Sequence, residues 1–144
     1  ISCVDVDKFD RILLNLLSNA IKYTESGGKI SVYVSQISDV FLIKVSDTGI
    51  GIPEKRINNI FKRYQQIENS FTAGIEGSGI GLSIVKSFVE LHNGNIEVNS
   101  TLNKGSEFLI KIPIKLDCDI DEKNHIRSPH CKSLAAAIYC QLQG

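Results

Sequence analysis

Ile30-Ser31-Val32-Tyr33-Val34-Ser35-Gln36-Ile37-Ser38-Asp39-Val40-Phe41-Leu42-Ile43-Lys44-Val45-Ser46-Asp47 is the stretch on which the fold turns. Ile30, Val32 and Val34 alternate with polar residues, and residues 40–46 form a second β-rich run that ends at Asp47. Two strand patterns in immediate succession predict a hairpin across residues 36–39. No helix separates them, so the chain does not follow the strand-helix-strand rhythm of a parallel sheet.

Upstream, Phe9, Ile12, Leu13, Leu16, Leu17, Ala20 and Ile21 recur at the spacing of an amphipathic helix, with Asp7 as its N-cap and Gly27-Gly28 as its stop. Downstream, Pro53 opens a second helix carrying Ile57, Ile60, Phe61 and Tyr64. Residues 65–78 are polar, contain glycine and lack apolar periodicity, as a mobile lid would. A third helix over 79–92 presents Leu82, Val85, Phe88 and Val89 and ends at Asn93-Gly94. Strand patterns at 95–101 and 106–114 follow, joined by a turn at 103–105. The expected fold is α+β: a two-layer α/β sandwich whose mixed, mostly antiparallel sheet carries about three helices on one face.

Composition narrows the function classes. The chain has 144 residues, 42% hydrophobic and 22% charged, with 16 basic and 16 acidic side chains. That is one globular domain, able to bury about 70% of its unfolded surface without disulfides or a structural metal. A zero formal charge argues against a dedicated nucleic-acid binder. The longest uncharged apolar stretch, residues 133–143, falls short of the roughly 20 residues a membrane-spanning helix needs. Absence of methionine leads us to expect a piece of a longer protein. Cys3, Cys118, Cys131 and Cys140 make no metal-binding spacing, and His125, His130 and Cys131 lie close in sequence at the wrong spacing for zinc. Residues 117–144 begin with an acidic run and are expected to form a tail outside a domain of residues 1–116, with a short helix near 133–142.

Four constellations can carry chemistry. Asn15, Asn19 and Lys22 share a helical stripe about 60° wide, which either holds a hard cation with its anionic ligand or is a solvated flank. Asp47-Thr48-Gly49-Ile50-Gly51-Ile52-Pro53 sets a carboxylate before two glycines: a ligand site, with the carboxylate accepting from an exocyclic amine, or a capped tight turn. Gly77-Ser78-Gly79-Ile80-Gly81-Leu82 opens a helix and can present backbone N–H groups to phosphate, although it matches neither the dinucleotide fingerprint nor a P-loop. Lys62 and Arg63 belong to a segment, 54–64, of net charge +3, which is either a phosphate-attracting patch or a solvated face.

Taken in order, these motifs resemble the catalytic, ATP-binding domain of sensor histidine kinases, within the superfamily that also holds gyrase, chaperone and mismatch-repair ATPases. Residues 15–23 are similar to its N box, 47–52 to its first glycine box, 60–64 to its F box and 77–82 to its second glycine box. His92-Asn93-Gly94 and Gly105-Ser106-Glu107-Phe108 are similar as well, so the likeness runs over residues 4–116.

The resemblance implies Mg-ATP as cofactor and substrate. Asn15, Asn19 and Lys22 would be the catalytic group, Asn19 holding Mg²⁺ and Lys22 a phosphate, with Tyr23 beside the nucleotide. Asp47 would accept the adenine amine, with Gly49, Gly51, Ile52 and Ser106 around it. Gly77, Ser78, Gly79, Ile80, Gly81 and Leu82 would wrap the phosphates, aided by Lys62, Arg63 and the lid. Gln66 stands where many members carry an arginine. The water-activating Glu of the ATPase branches is replaced by Asn15, which cannot act as a base near neutral pH, so slow hydrolysis is expected. The γ-phosphoryl would go to a histidine on a dimerisation domain that should precede Ile1, part of the first strand lying there too, and onward to a receiver-domain aspartate of a response regulator. The longer protein would be a homodimer with this domain in the cytoplasm, soluble or membrane-anchored. Neither His125, which sits in a motif one residue short of the acceptor pattern, nor His92 is expected to be the acceptor. The competing reading is a non-catalytic nucleotide-binding regulator of the same fold.

Overall fold

A computed structural model describes residues 6–64 and 79–113, with side chains from residue 9 onward. The expected lid, the tail, the four cysteines, His125 and His130, and the site candidates Gln66, Gly77 and Ser78 lie outside the described residues.

The order is α1 (Val6–Tyr23), β1 (Ile30–Ile37), β2 (Val40–Asp47), α2 (Glu54–Ile57), α3 (Gly81–Leu91), β3 (Asn95–Thr101) and β4 (Gly105–Pro113). The four strands form one sheet in the order β1-β2-β4-β3, and every neighbouring pair is antiparallel. The hairpin is tighter than expected. Ile37 pairs with Val40, leaving a two-residue turn in which Ser38 takes the positive φ, 52°, that such turns require at their first position.

Strand alternation fixes the two faces. Phe41, Ile43 and Val45 of β2 are buried beside Ile112, Ile110 and Phe108 of β4 in register, and α1 and α3 pack over them. α1 contributes Phe9, Ile12, Leu13, Leu16 and Ala20, and α3 contributes Val85 and Val89. Each side chain of this size is worth about 1.5–3 kcal/mol when fully buried. Phe9 and Phe41 meet edge to face with ring centroids 4.9 Å apart. On the opposite face Lys44 pairs with Glu107 and Lys111 with Glu97, so the sheet has one dry and one charged side.

Four local expectations need correcting. α1 starts at Val6, which puts Asp7 inside the helix rather than at its cap. Ile21, grouped with the apolar face, is 67% exposed, because it lies two turns after the exposed Leu14 on the outward side of α1, while Ala20 beside it stays buried. The third helix is shorter at both ends, Gly81–Leu91, with His92 as C-cap; its Nδ1–H donates to the Phe88 carbonyl at 2.7 Å. The second helix closes after four residues. Arg56 within it, and Asn59 and Lys62 beyond it, donate their N–H groups three residues back, to Pro53, Arg56 and Asn59, so the chain advances in tighter i→i+3 turns. Asn58-Asn59 has little helical preference to resist this. Ile60 is still buried, whereas Tyr64 is 76% exposed at a φ of 62°.

Candidate functional site

The apolar rows of the inner sheet face give out at one end. Two residues beyond Val45 comes Asp47, paired with Ser106 of β4, which is in turn paired with Ser100 of β3. Asp47 and Ser106 of this polar row form the floor of a pocket walled by α1, the 50–60 segment and the start of α3, with Ser100 behind them.

Asp47 is held by its own loop. Gly49 N–H donates to Oδ1 at 2.8 Å, and the backbone N–H of Ser106 also donates to the carboxylate. Burial raises its pKa above the ordinary aspartate value, and these two donors, which lower it, only partly offset that. The remaining lone pairs face the cavity as acceptors. Tyr23, half-buried on the adjoining wall, likewise has its phenol pKa raised by burial.

The two glycines also have a packing role. A Cβ on Gly49 would overlap the Tyr23 carbonyl, to which Ile50 N–H donates at 3.0 Å. One on Gly51, whose φ is +68°, would overlap the Thr101 carbonyl. Both therefore let the loop after β2 pack against the end of α1 and the β3–β4 turn, and so lock Asp47 in place.

Along α1 the polar stripe faces the pocket as its spacing implies. Asn15, Ser18, Asn19, Lys22 and Tyr23 all line it. Tyr23 sits at the Asp47 end, beside the loop it accepts from. Asn15 sits at the other end, where its Oδ1 abuts Gly81 of α3 while its Nδ2 donates to the Arg11 carbonyl at 2.7 Å. Among the described residues no side chain caps the N-terminus of α3, and Gly79, Gly81 and Leu82 line this end. The cavity is thus graded: acceptors at one end, then carboxamides and an ammonium, then the positive end of a helix dipole. A ligand with N–H donors at one end and negative charge at the other fits that gradient.

A family profile described as histidine kinase-, DNA gyrase B-, and HSP90-like ATPase matches residues 4–116. The chain belongs to this family. Among relatives of this ATPase domain, the circadian input-output histidine kinase CikA of Synechococcus elongatus is 43% identical over 109 residues, and the sensor histidine kinase TmoS of Ectopseudomonas mendocina 46% over 112. These alignments cover 76% and 77% of the chain but only 14% and 12% of the relatives, so the chain spans a small part of their length. Among solved structures, a mycobacterial sensor histidine kinase, MprB, superposes with a TM-score of 0.69 at 29% identity, over 79% of this chain and 77% of that one. The catalytic domain of the histidine kinase ThkA gives 0.64 at 30%, over 76% and 68%. The α+β architecture and the motif order are those of a histidine-kinase-type ATPase domain.

Of the residues expected in the ATPase site, the fold brings Asn15, Asn19, Lys22, Tyr23, Asp47, Gly51, Ile52, Gly79, Gly81, Leu82 and Ser106 together. Gly49, Ile80, Lys62 and Arg63 do not line the cavity; Gly49 is behind Asp47, and Lys62 and Arg63 are exposed on the turn beyond it. Ser18, Ile50, Arg56, Asn59, Ile60 and Phe108 line it without having been expected. Phe108 follows from the alternation that brings in Ser106, two residues before it. Arg56 counts only within the +3 charge of residues 54–64 and Asn59 carries no signal, because their shared edge arises from turns of three residues, which the apolar pattern of 57–64 conceals. Among the described residues no group of three His, Cys, Asp or Glu is placed to hold a metal, and no helix is long and apolar enough to cross a membrane.

Proposed function

We propose that this domain, residues 1–116, binds Mg-ATP in the pocket and is the phosphoryl-donating module of a two-component sensor histidine kinase, with residues 117–144 as an appended tail. The observation that carries the reading is the graded cavity, with Asp47 and Ser106 at one end and the uncapped start of α3, faced by Asn15, at the other. Asp47 accepts from the adenine amine, Lys22 neutralises phosphate charge, and the N–H groups at Gly79 and Gly81 receive phosphate oxygens.

Mg²⁺ suits the donor set. The Asn19 carboxamide oxygen is one hard ligand, and a cation that keeps several waters and binds chiefly to phosphates needs no carboxylate cluster. When bound, the ion would neutralise charge on the phosphates. Asn15 donates to its own helix and offers no base, so water is not activated and the γ-phosphoryl is kept for transfer. The acceptor is a histidine on a separate phosphoacceptor domain of the longer protein, a cytoplasmic or membrane-anchored homodimer, and a response-regulator aspartate receives the group next.

The test is incubation of the chain with γ-labelled ATP, Mg²⁺ and an isolated phosphoacceptor domain from a related histidine kinase. Acid-labile, base-stable label on that domain is expected, with little phosphate released when the acceptor is omitted. Saturable ATP binding without transfer to any histidine acceptor would instead support a non-catalytic regulator.

A further inference from the structure

Behind the pocket floor lies a residue that does not line it. The Ser100 hydroxyl is 2.8 Å from Ile52 N, 2.9 Å from the Gly105 carbonyl oxygen and 2.9 Å from the Ser106 hydroxyl. A serine hydroxyl has one proton and two lone pairs. Gly105 O can only accept, so it takes the Ser100 proton. Ile52 N–H can only donate, so it takes one Ser100 lone pair. The contact with Ser106 is then decided: Ser106 donates and Ser100 accepts with its last lone pair. Ser100 is fully saturated, and the single proton of Ser106 is directed backward, away from the cavity. Two lone pairs of Ser106 are left toward the ligand, next to the carboxylate of Asp47, its register partner.

We infer that Ser100 is a positioning residue for base selectivity: by holding the Ser106 proton it makes the pocket floor acceptor-only, so that the site takes a purine bearing an amine and rejects one bearing a carbonyl oxygen at the same place. This rests on the ATP reading above and adds the means by which the floor is polarised. An amine has hydrogens to share between two acceptors. A carbonyl oxygen there meets Asp47 and Ser106 with no hydrogen between them, and leaving buried acceptors opposed is costly. The same hydroxyl ties Ile52, in the loop that carries Asp47, to β3, so the two acceptors are fixed by one group.

The experiment compares binding of ATP and inosine triphosphate, both with Mg²⁺, by calorimetry on the whole chain. Wild type is expected to prefer ATP. In Ser100→Ala the Ser106 hydroxyl can turn and donate to a carbonyl, so the preference falls about three- to tenfold, the worth of one redirected hydrogen bond. Ser100→Thr, which keeps the hydroxyl, retains the preference, and in a Ser106→Ala background Ser100→Ala no longer alters it. Loss of packing alone would weaken both nucleotides equally and leave the ratio where it was. Ser106→Ala supplies an arm that does not depend on the Ser100 variant folding: it weakens ATP and leaves inosine triphosphate unchanged or tightens it, because the hydroxyl donates nothing forward and its opposed lone pairs are removed. Equal weakening of both nucleotides by Ser106→Ala, or an unchanged ratio in folded Ser100→Ala, overturns the inference while leaving ATP binding intact. Wild type that binds neither nucleotide overturns the ATP reading itself and the inference with it.

Discussion

The inner face of the sheet is two surfaces in a single register. In the rows of Phe41 with Ile112 and Ile43 with Ile110 it is apolar and sealed by α1 and α3; past Val45 and Phe108, whose ring already borders the cavity, the row of Asp47, Ser106 and Ser100 is polar and opens to the cavity at Asp47 and Ser106. Neither backbone pairing nor strand direction changes between them. What changes is the cover, since the loop after β2 turns up against the end of α1 at Ile50 and leaves a cavity where a helix would otherwise lie. A binding site can thus be made by continuing a core past the edge of its lid and switching the side chains from carbon to oxygen.

Substitutions on the two sides of that boundary should separate stability from binding. Ile110→Ala, at a site with no solvent exposure, should cost the most, about 2–5 kcal/mol of unfolding free energy in a denaturant titration. The folded fraction should still bind ATP normally. Asp47→Asn should do the reverse: ATP affinity measured by calorimetry should drop about 10- to 100-fold, while the unfolding temperature at neutral pH holds or rises, because a half-buried charge has been removed.

The same carboxylate gives a pH signature of two opposite signs. Its pKa is raised in the folded chain, so protonation, and with it loss of ATP affinity, should begin at a pH above the ordinary aspartate range. For stability a raised folded-state pKa means the native state holds the proton more tightly. That contribution is fully present below the ordinary value and is lost as pH rises through the raised one. Affinity and this part of the stability should therefore move oppositely across that window in wild type, and neither movement should survive in Asp47→Asn.

Lys22→Ala sharpens the comparison at the far end of the pocket. It should weaken ATP about tenfold and adenosine hardly at all, since the ammonium is placed for phosphate rather than base. Lys111→Ala, on the charged outer face, should have the smallest effect. Its 2.6 Å pair with Glu97 is partly exposed, so a loss of about 1 kcal/mol or less and no change in binding are expected.

Much of this was readable from residue order. The alternation of Ile30, Val32 and Val34 and the run that follows predicted the hairpin, and helical spacing put Asn15, Asn19 and Lys22 on one stripe, which the fold turns into the pocket. What escaped was set by neighbours distant in sequence. Gly49 and Gly51 also pack against Tyr23 and Thr101, which no local pattern brings near. Arg56 and Asn59 share the cavity edge because the chain from Pro53 advances in turns of three residues, a helical pitch invisible to an apolar count.

The sequence by itself determined the elements, their periodicity and the motif residues, since these follow from short-range sterics and from which side chains avoid water. Only the tertiary structure decided that Asp47, Ser106 and Ser100 share a row, that α3 begins against Asn15, and that the Ser106 proton points away from the cavity. Those facts depend on register and on hydrogen bonds that join the β3–β4 hairpin, Ser100 to Gly105 and Ser106, with a segment 48 residues away, Ile52 to Ser100, where one donor's choice of acceptor is fixed only once every other partner is in place.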